Sequence, residues 1–404
     1  MAYNNVINII NNTITNTTKK INIIVIKQER GNMMKFRCNK EELLKGISIV
    51  SRFAYSKYQQ SILECIHIKA EGEYIYMDTF DMTTAIRTKI NAEITEEGET
   101  AIPARVLNEI VSKISSGEIL FERINNTVQI TGANASANLS EMDAAQFPVF
   151  PECEEDEEKM IEIKQDDLKA MIDKTSFSVY TGDDRPIFTG LLLETNPSEK
   201  KVSMVGIDGV RLAIYRNDFE GNNKIKAIIP SNMLKEASRI LESGDETVRL
   251  YFTDSACFMI NDKIEIFTRL LDGEFINYGS IVPSGYKTRV RVNVSMLLQS
   301  LDLMMVLARE DSSNIIHLSF EDACLNLQSD SRYGNAKDMI YLGSMDGENL
   351  KIAFNARFLL DIFRVIEDDE VVMEFNGRLQ AGVIKPVNND NFLYLVVPVN
   401  VAER

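Results

Sequence analysis

Catalytic equipment is what this 404-residue sequence has least of. It holds two histidines, His67 and His317, each inside an alternating strand-like stretch, so a histidine-based triad or zinc site has little to work with. The five cysteines (Cys38, Cys65, Cys153, Cys257 and Cys324) are odd in number, far apart and without a C-x-x-C pair. They read as buried thiols of a reducing cytoplasm, not as a disulfide framework or a zinc site. A G-x-x-x-x-G-K-[ST] phosphate loop, a G-x-G-x-x-G turn, H-E-x-x-H and G-x-S-x-G are all absent. The acids are many but scattered, with no cluster of the kind a two-metal nucleotidyl-transfer site needs. No enzyme activity, metal or cofactor is therefore expected. No apolar run reaches the roughly 18 residues of a membrane span, and a soluble, cytoplasmic protein without a membrane partner is expected.

What is present is a chain long enough to bury several cores, 45% apolar and 26% charged. That excludes a small stapled scaffold and a disordered polypeptide. Lys plus Arg number 44 against 60 Asp plus Glu, a formal charge of −16. Net charge alone argues against a nucleic-acid partner unless the positive residues are gathered in one place.

Residues 1–33 differ from the rest, with eight Asn, eight Ile and four Thr and a charge of +3. There is no charged n-region, cleavage site or helical amphipathicity to make a signal or transit peptide. Two readings stay open: a poorly ordered leader, or upstream sequence translated from a misplaced start. The second is favoured because Glu29-Arg30-Gly31 can be encoded by a purine-rich ribosome-binding sequence just before Met33-Met34.

From Met34 the chain repeats itself. Three openings, at 35–50, 162–177 and 291–303, each read as a strand followed by a helix. In each, an apolar strand residue precedes the first helical leucine by five: Cys38 and Leu43, Ile163 and Leu168, Val292 and Leu297. Asn39, Asp166 and Asn293 are the expected N-caps. A second helix recurs at 101–114, 227–241 and 352–366, aligned on Pro103, Pro230 and Asn355. Each is followed by a hairpin with turn residues Asn125-Asn126, Asp254-Ser255 or Asn376-Gly377. Between the helices lies another alternating pair, at 65–77, 190–206 and 317–329. The unit is strand, helix, strands, helix, strands, written three times, which predicts an α+β protein with antiparallel sheets. The expected domains are 34–152, 160–283 and 286–404, with the acid-rich Glu152–Glu158 as a solvated linker.

The opening MKFRCNKEELLKGIS (34–48), DGVRLAIYR (208–216), LLDGEFINY (270–278) and YLVVPV (394–399) resemble the bacterial DNA polymerase III β subunit, the sliding clamps. The resemblance covers the chain from Met34 to its end. It implies a head-to-tail homodimeric ring of six domains, with two helices per copy lining a pore around double-stranded DNA and sheets forming the outer wall. Such a ring is a processivity factor: it holds DNA topologically and without regard to sequence. It also tethers the DNA polymerase III catalytic subunit, the clamp loader and other proteins bearing a clamp-binding motif. The DNA-facing residues it implies are Lys45, Arg52, Lys57, Arg105, Lys113, Lys174, Arg185, Lys235, Arg239, Arg357 and Arg364, with Lys169 on the same helices.

The same resemblance implies a hydrophobic peptide pocket of Phe188, Ile207, Gly209, Val210, Arg211, Leu212, Ile276, Ser280, Ile281, Leu395, Val396, Val397, Pro398 and Val399. It implies a dimer seam of Ala137 and Leu139 against Val306 and Leu307. Val210, Ile276 and Ser280 depart from residues common in the family, as do Pro186 and Ile187 after Arg185, and Ala137 is smaller than the aromatic of some members. Two other classes remain to be weighed: a nucleotide-processing enzyme, which would need an acid cluster and phosphate loop, and a repeat scaffold that never touches DNA.

Overall fold

The computed structural model describes residues 33–54, 61–115, 117–244, 246–310, 314–387 and 391–401. Residues 1–32, expected to be a leader, and Lys57 lie outside the described residues. The first strand, Met33–Asn39, begins one residue before the expected start of the first copy. Among the described residues six α-helices follow in pairs: α1 (Lys40–Val50) and α2 (Ala104–Lys113), α3 (Gln165–Asp173) and α4 (Ser231–Ile240), α5 (Val294–Ala308) and α6 (Ala356–Phe363). The two helices of each pair pack on each other.

The five-residue spacing read from the sequence has a simple outcome. Cys38, Leu43, Ile163, Leu168, Val292 and Leu297 are all buried, so each strand-to-helix corner is nailed by two apolar side chains entering one core. Asn39 caps α1 by accepting from the amides of Glu41 and Glu42, and Asn293 caps α5 by accepting from Met296 N. The second copy differs. Asp166 is not the cap of α3: the helix starts at Gln165, two residues earlier than that cap would give, with Lys164 at the cap position. Gln165 is pulled inward, where its amide donates to Glu246 O and its side-chain oxygen accepts from Glu242 N. Asp166 instead accepts from Gly244 N at 3.2 Å. Pro103 and Pro230 cap α2 and α4 by position, and Asn355 caps α6 by accepting from Arg357 N.

The described residues divide into two compact units, one running to Cys153 with Phe258–Phe267, the other Glu154–Cys257 with Thr268 onward. In the first, Met33–Asn39 lies between Glu93–Glu96 and Glu118–Ile124, and the sheet continues through Thr127–Thr131 to an edge at Ser136–Ser140. Phe36 and Phe121 are cross-strand partners with rings stacked at 4.7 Å. A further run in that unit orders Thr84–Asn91, Tyr74–Phe80, Cys65–Glu71 and Gly98–Pro103.

The second unit is organised by one continuous nine-stranded sheet, in the order Lys226–Pro230, Gly190–Asn196, Lys201–Ile207, Arg211–Asp218, Phe392–Val396, Gly382–Pro386, Glu370–Phe375, Thr288–Asn293 and Ser344–Gly347. The second and third copies meet inside it. A four-stranded sheet, Gly334–Tyr341, Cys324–Ser331, Ile315–Glu321 and Leu350–Asn355, completes the third copy. Pairing is antiparallel throughout these ladders, as the repeat predicts.

Candidate functional site

The line where the second and third copies join is set by backbone pairing. Arg211–Asp218 runs antiparallel to Phe392–Val396, with Arg211 opposite Val396 and Leu212 opposite Leu395. DGVRLAIYR and YLVVPV are therefore neighbours in one sheet. Beneath them sits an apolar cluster that includes Leu192, Val205, Ile214, Ile228, Phe275 and Val383. The sequence-derived pocket residues separate into two sets here. Ile207, Leu212, Leu395 and Val396 belong to the buried core, Leu212 only 1% exposed. Val210, Ile276 and Val397, at 41–42% exposure, together with Ile281, stand at the surface. Phe188 is half-buried and meets Phe275 edge to face at 6.1 Å. Ile187, Leu271, Tyr278, Val282, Ala381 and Leu393 also pack on this cluster and were missed from sequence. Leu271 and Tyr278 lie in the LLDGEFINY block, the signal from which they could have been found.

The surface turn is built tightly. Asp208 Oδ1 accepts from the amides of Val210 at 3.0 Å and Arg211 at 2.9 Å, and Gly209 supplies the positive φ of 95° the turn requires. Val397 N donates to Val210 O at 2.8 Å, and Val399 N to Ala353 O at 2.8 Å, which ties down the tail through Pro398. The other wall is fixed by Tyr278, whose hydroxyl donates to Glu194. Burial, and then that carboxylate, push the Tyr278 phenol well above its ordinary value. Ser280 closes a short turn by donating its hydroxyl to Asn277 O at 2.7 Å.

The basic residues expected to face DNA fall into two states among the described residues. Lys45, Arg52, Arg105, Lys113, Arg185, Arg239, Arg357 and Arg364 are exposed. Lys169, Lys174 and Lys235 are drawn in. Lys169 Nζ donates to Leu241 O at 3.1 Å, and Lys174 lies over the Tyr215 ring at 5.2 Å. Lys235 is pushed below the ordinary lysine value by burial, then by Arg211 and Arg239. Several have an acid at hand: Arg105 and Glu109 at 3.7 Å, Lys174 and Glu367 at 3.5 Å, Arg185 and Asp184 at 3.8 Å, Arg364 and Asp302 at 3.2 Å, and Arg239 with Glu236. Of the expected seam residues, Ala137 and Leu139 are half-buried on the edge strand Ser136–Ser140, while Leu307 is half-buried and Val306 51% exposed on α5. Among the described residues no group of three or more His, Cys, Asp or Glu could hold a metal ion, and no helix is long and apolar enough to cross a membrane.

Three family models match the chain in succession: the DNA polymerase III beta subunit N-terminal domain at 34–151, its central domain at 162–277 and its C-terminal domain at 279–400. The chain belongs to the DNA polymerase III beta subunit family. Its function is that of the family, a sliding clamp. The beta sliding clamp of Bacillus subtilis is 30% identical over 379 residues, covering 91% of this chain and 99% of that protein. That of Staphylococcus epidermidis is 28% identical over 381 residues, with the same coverage. Among solved structures, the DNA polymerase sliding clamp of Bacillus subtilis aligns with a TM-score of 0.87 at 28% identity, and a putative DNA polymerase III beta subunit of Eubacterium rectale with 0.86 at 31%. Each of these alignments covers 91% of this chain and 100% of the other. The three repeats are thus the three domains of a beta subunit, and the joint described above lies between its central and C-terminal domains.

Proposed function

We propose that two copies of this beta subunit close head to tail into a six-domain ring around duplex DNA. Short extended apolar peptides of the polymerase, the clamp loader and other partners then dock in the groove between its second and third domains. The observation that carries the reading is the Arg211–Asp218 and Phe392–Val396 pairing. It sets exposed Val210 and Val397 beside each other above a buried apolar cluster. A groove of that kind suits a peptide with one or two apolar anchors, which supply most of the binding energy. In this reading Val210, Val397, Phe188, Ile276 and Ile281 touch the peptide, while Ile207, Leu212, Leu395 and Val396 form the floor that holds them.

The seam brings Val306 and Leu307 of one protomer to Ala137 and Leu139 of its partner. Two open sheet edges, Ser136–Ser140 and Gly334–Tyr341, support such a junction, because an unpaired edge is a template for another strand. The exposed lysines and arginines of the helices face DNA. The protein catalyses no reaction, takes no cofactor and works in the cytoplasm. With a net charge of −16, direct DNA affinity is weak and salt-sensitive, and closure of the ring converts it into long retention.

The test is retention on nicked circular DNA after loading, followed by a single cut in the circle. A ring stays for many minutes on the circle and slides off after the cut at unchanged salt. Equal retention on both forms means contact-based binding and overturns the reading.

A further inference from the structure

Arg211 rims the joint by sequence, yet its side chain turns inward and is only 11% exposed. Its Nε donates to Asp208 Oδ2 at 2.7 Å and its Nη1 to Asp361 Oδ2, on α6, at 2.6 Å. The guanidinium lies over the Phe358 ring at 4.4 Å and near the Phe177 ring at 5.9 Å. Burial opposes its charge, but Asp361 and then Asp208 outweigh this and keep Arg211 above its ordinary value. Asp208 is doubly used: one oxygen closes the Asp208–Arg211 turn and the other holds the guanidinium. Gly209, at the turn's apex, has no side chain with which to brace it. Val210 O in turn receives the amide of Val397. A chain of directed bonds therefore runs from α6 through Asp361, Arg211 and Asp208 to Val210 and Val397.

We propose that the Arg211–Asp361 pair is a positioning strut, which holds the Val210 turn and Val397 in the arrangement that receives a peptide without itself touching the peptide. This rests on the groove reading above. The physical reason is that a buried guanidinium keeps its place only while its charge is matched. With Asp361 gone, Arg211 retains one carboxylate, beside the cationic Lys235, whose charge Arg211 already opposes. The guanidinium moves toward water and draws with it the carboxylate that closes the turn. Asp361 lies on a helix of the third domain, and its removal takes no apolar atom from the groove.

The test uses the full-length dimer and a fluorescein-labelled peptide from the C-terminus of the organism's own replicative polymerase. Anisotropy should show Asp361→Ala binding roughly tenfold more weakly, the factor that a coupling of about 1.4 kcal/mol gives. Asp361→Glu should recover most of the affinity. In a Val210→Ala background the same Asp361→Ala change should have little further effect, because the strut acts through that turn. Hydrogen exchange should accelerate at the Val397 amide and stay unchanged along Lys201–Ile207, which separates a local strut from general loss of stability. Unchanged peptide affinity in Asp361→Ala, or an equal loss in both backgrounds, overturns the strut. Failure of the wild-type dimer to bind the peptide at all overturns the groove reading instead.

Discussion

Single side chains set how reactive the buried thiols and carboxylates of this protein are. Burial, and then Glu42, push the Cys38 thiol up to about 12, and burial with Glu64 pushes Cys65 up to about 11. Neither forms thiolate at neutral pH, and thiolate is the reactive species. Iodoacetamide at pH 8 should label the half-buried Cys153 and Cys324 in the folded protein, and Cys38 and Cys65 only after unfolding. Peptide mass spectrometry checks this, and early labelling of Cys38 would contradict it. Asp78 is the opposite case. Burial would raise its carboxyl, but hydrogen bonds from Arg87, at 2.7 and 2.9 Å, and from His67 hold it below the ordinary carboxylate value. Its contribution is therefore complete at neutral pH and disappears as pH falls through that lowered value, below about 4. Asp78→Asn should cost roughly 3 kcal/mol at pH 7, because Arg87 is left half-buried without its charge partner. The cost should shrink at pH 3, and urea unfolding at both pH values measures it. The strand setting of both histidines was legible in the sequence. The carboxylates around His67 were not, because Asp78 and Glu99 reach it from neighbouring strands.

At the scale of elements, local rules carried far and stopped where strands from distant copies meet. Asn39, Asn293 and Asn355 cap helices as their types demand, and Asn355→Ala should cost about 1 kcal/mol in thermal unfolding. Asp166 was misread because a tertiary hydrogen bond, Gln165 to Glu246, overrides the local cap preference. The groove was half legible. DGVRLAIYR and YLVVPV stand out only through their resemblance to the family, and only the sheet register and burial reveal that Leu212 faces inward and Val210 outward. Leu212→Lys should therefore unfold the joint, since it buries an ammonium without a partner, whereas Val210→Glu or Val397→Glu should weaken peptide binding and leave the melting temperature nearly unchanged. Calorimetry alongside peptide titration distinguishes the two classes. A stable, monodisperse Leu212→Lys protein would show that the register does not hold in solution.

For the whole molecule, in the ring proposed above, the pairing of helix arginines with acids one turn or one helix away tempers direct binding to DNA. A phosphate approaching Arg105 or Arg364 competes with Glu109 or Asp302, so fewer bound counterions are released than the basic residues would suggest. The salt slope of direct binding should be shallower than about −0.9 per lysine or arginine. Asp302→Asn should tighten direct binding roughly twofold, the scale of an exposed pair. Anisotropy with a short duplex between 50 and 200 mM salt, concentrations of the kind over which such slopes are read, measures both.

The nine-stranded sheet has a mechanical consequence as well. A partner seated in the proposed groove at Val210 and Val397 would pull on Phe392–Val396, a strand flanked on one side by Arg211–Asp218 and on the other by Gly382–Pro386. Tension along that strand loads both ladders in shear, so their hydrogen bonds resist together, whereas tension across it would open them one at a time. In the proposed complex a moving polymerase is thus harnessed to the interior of the sheet, where the load spreads over two domains, and not to a hairpin that a single tug could peel away.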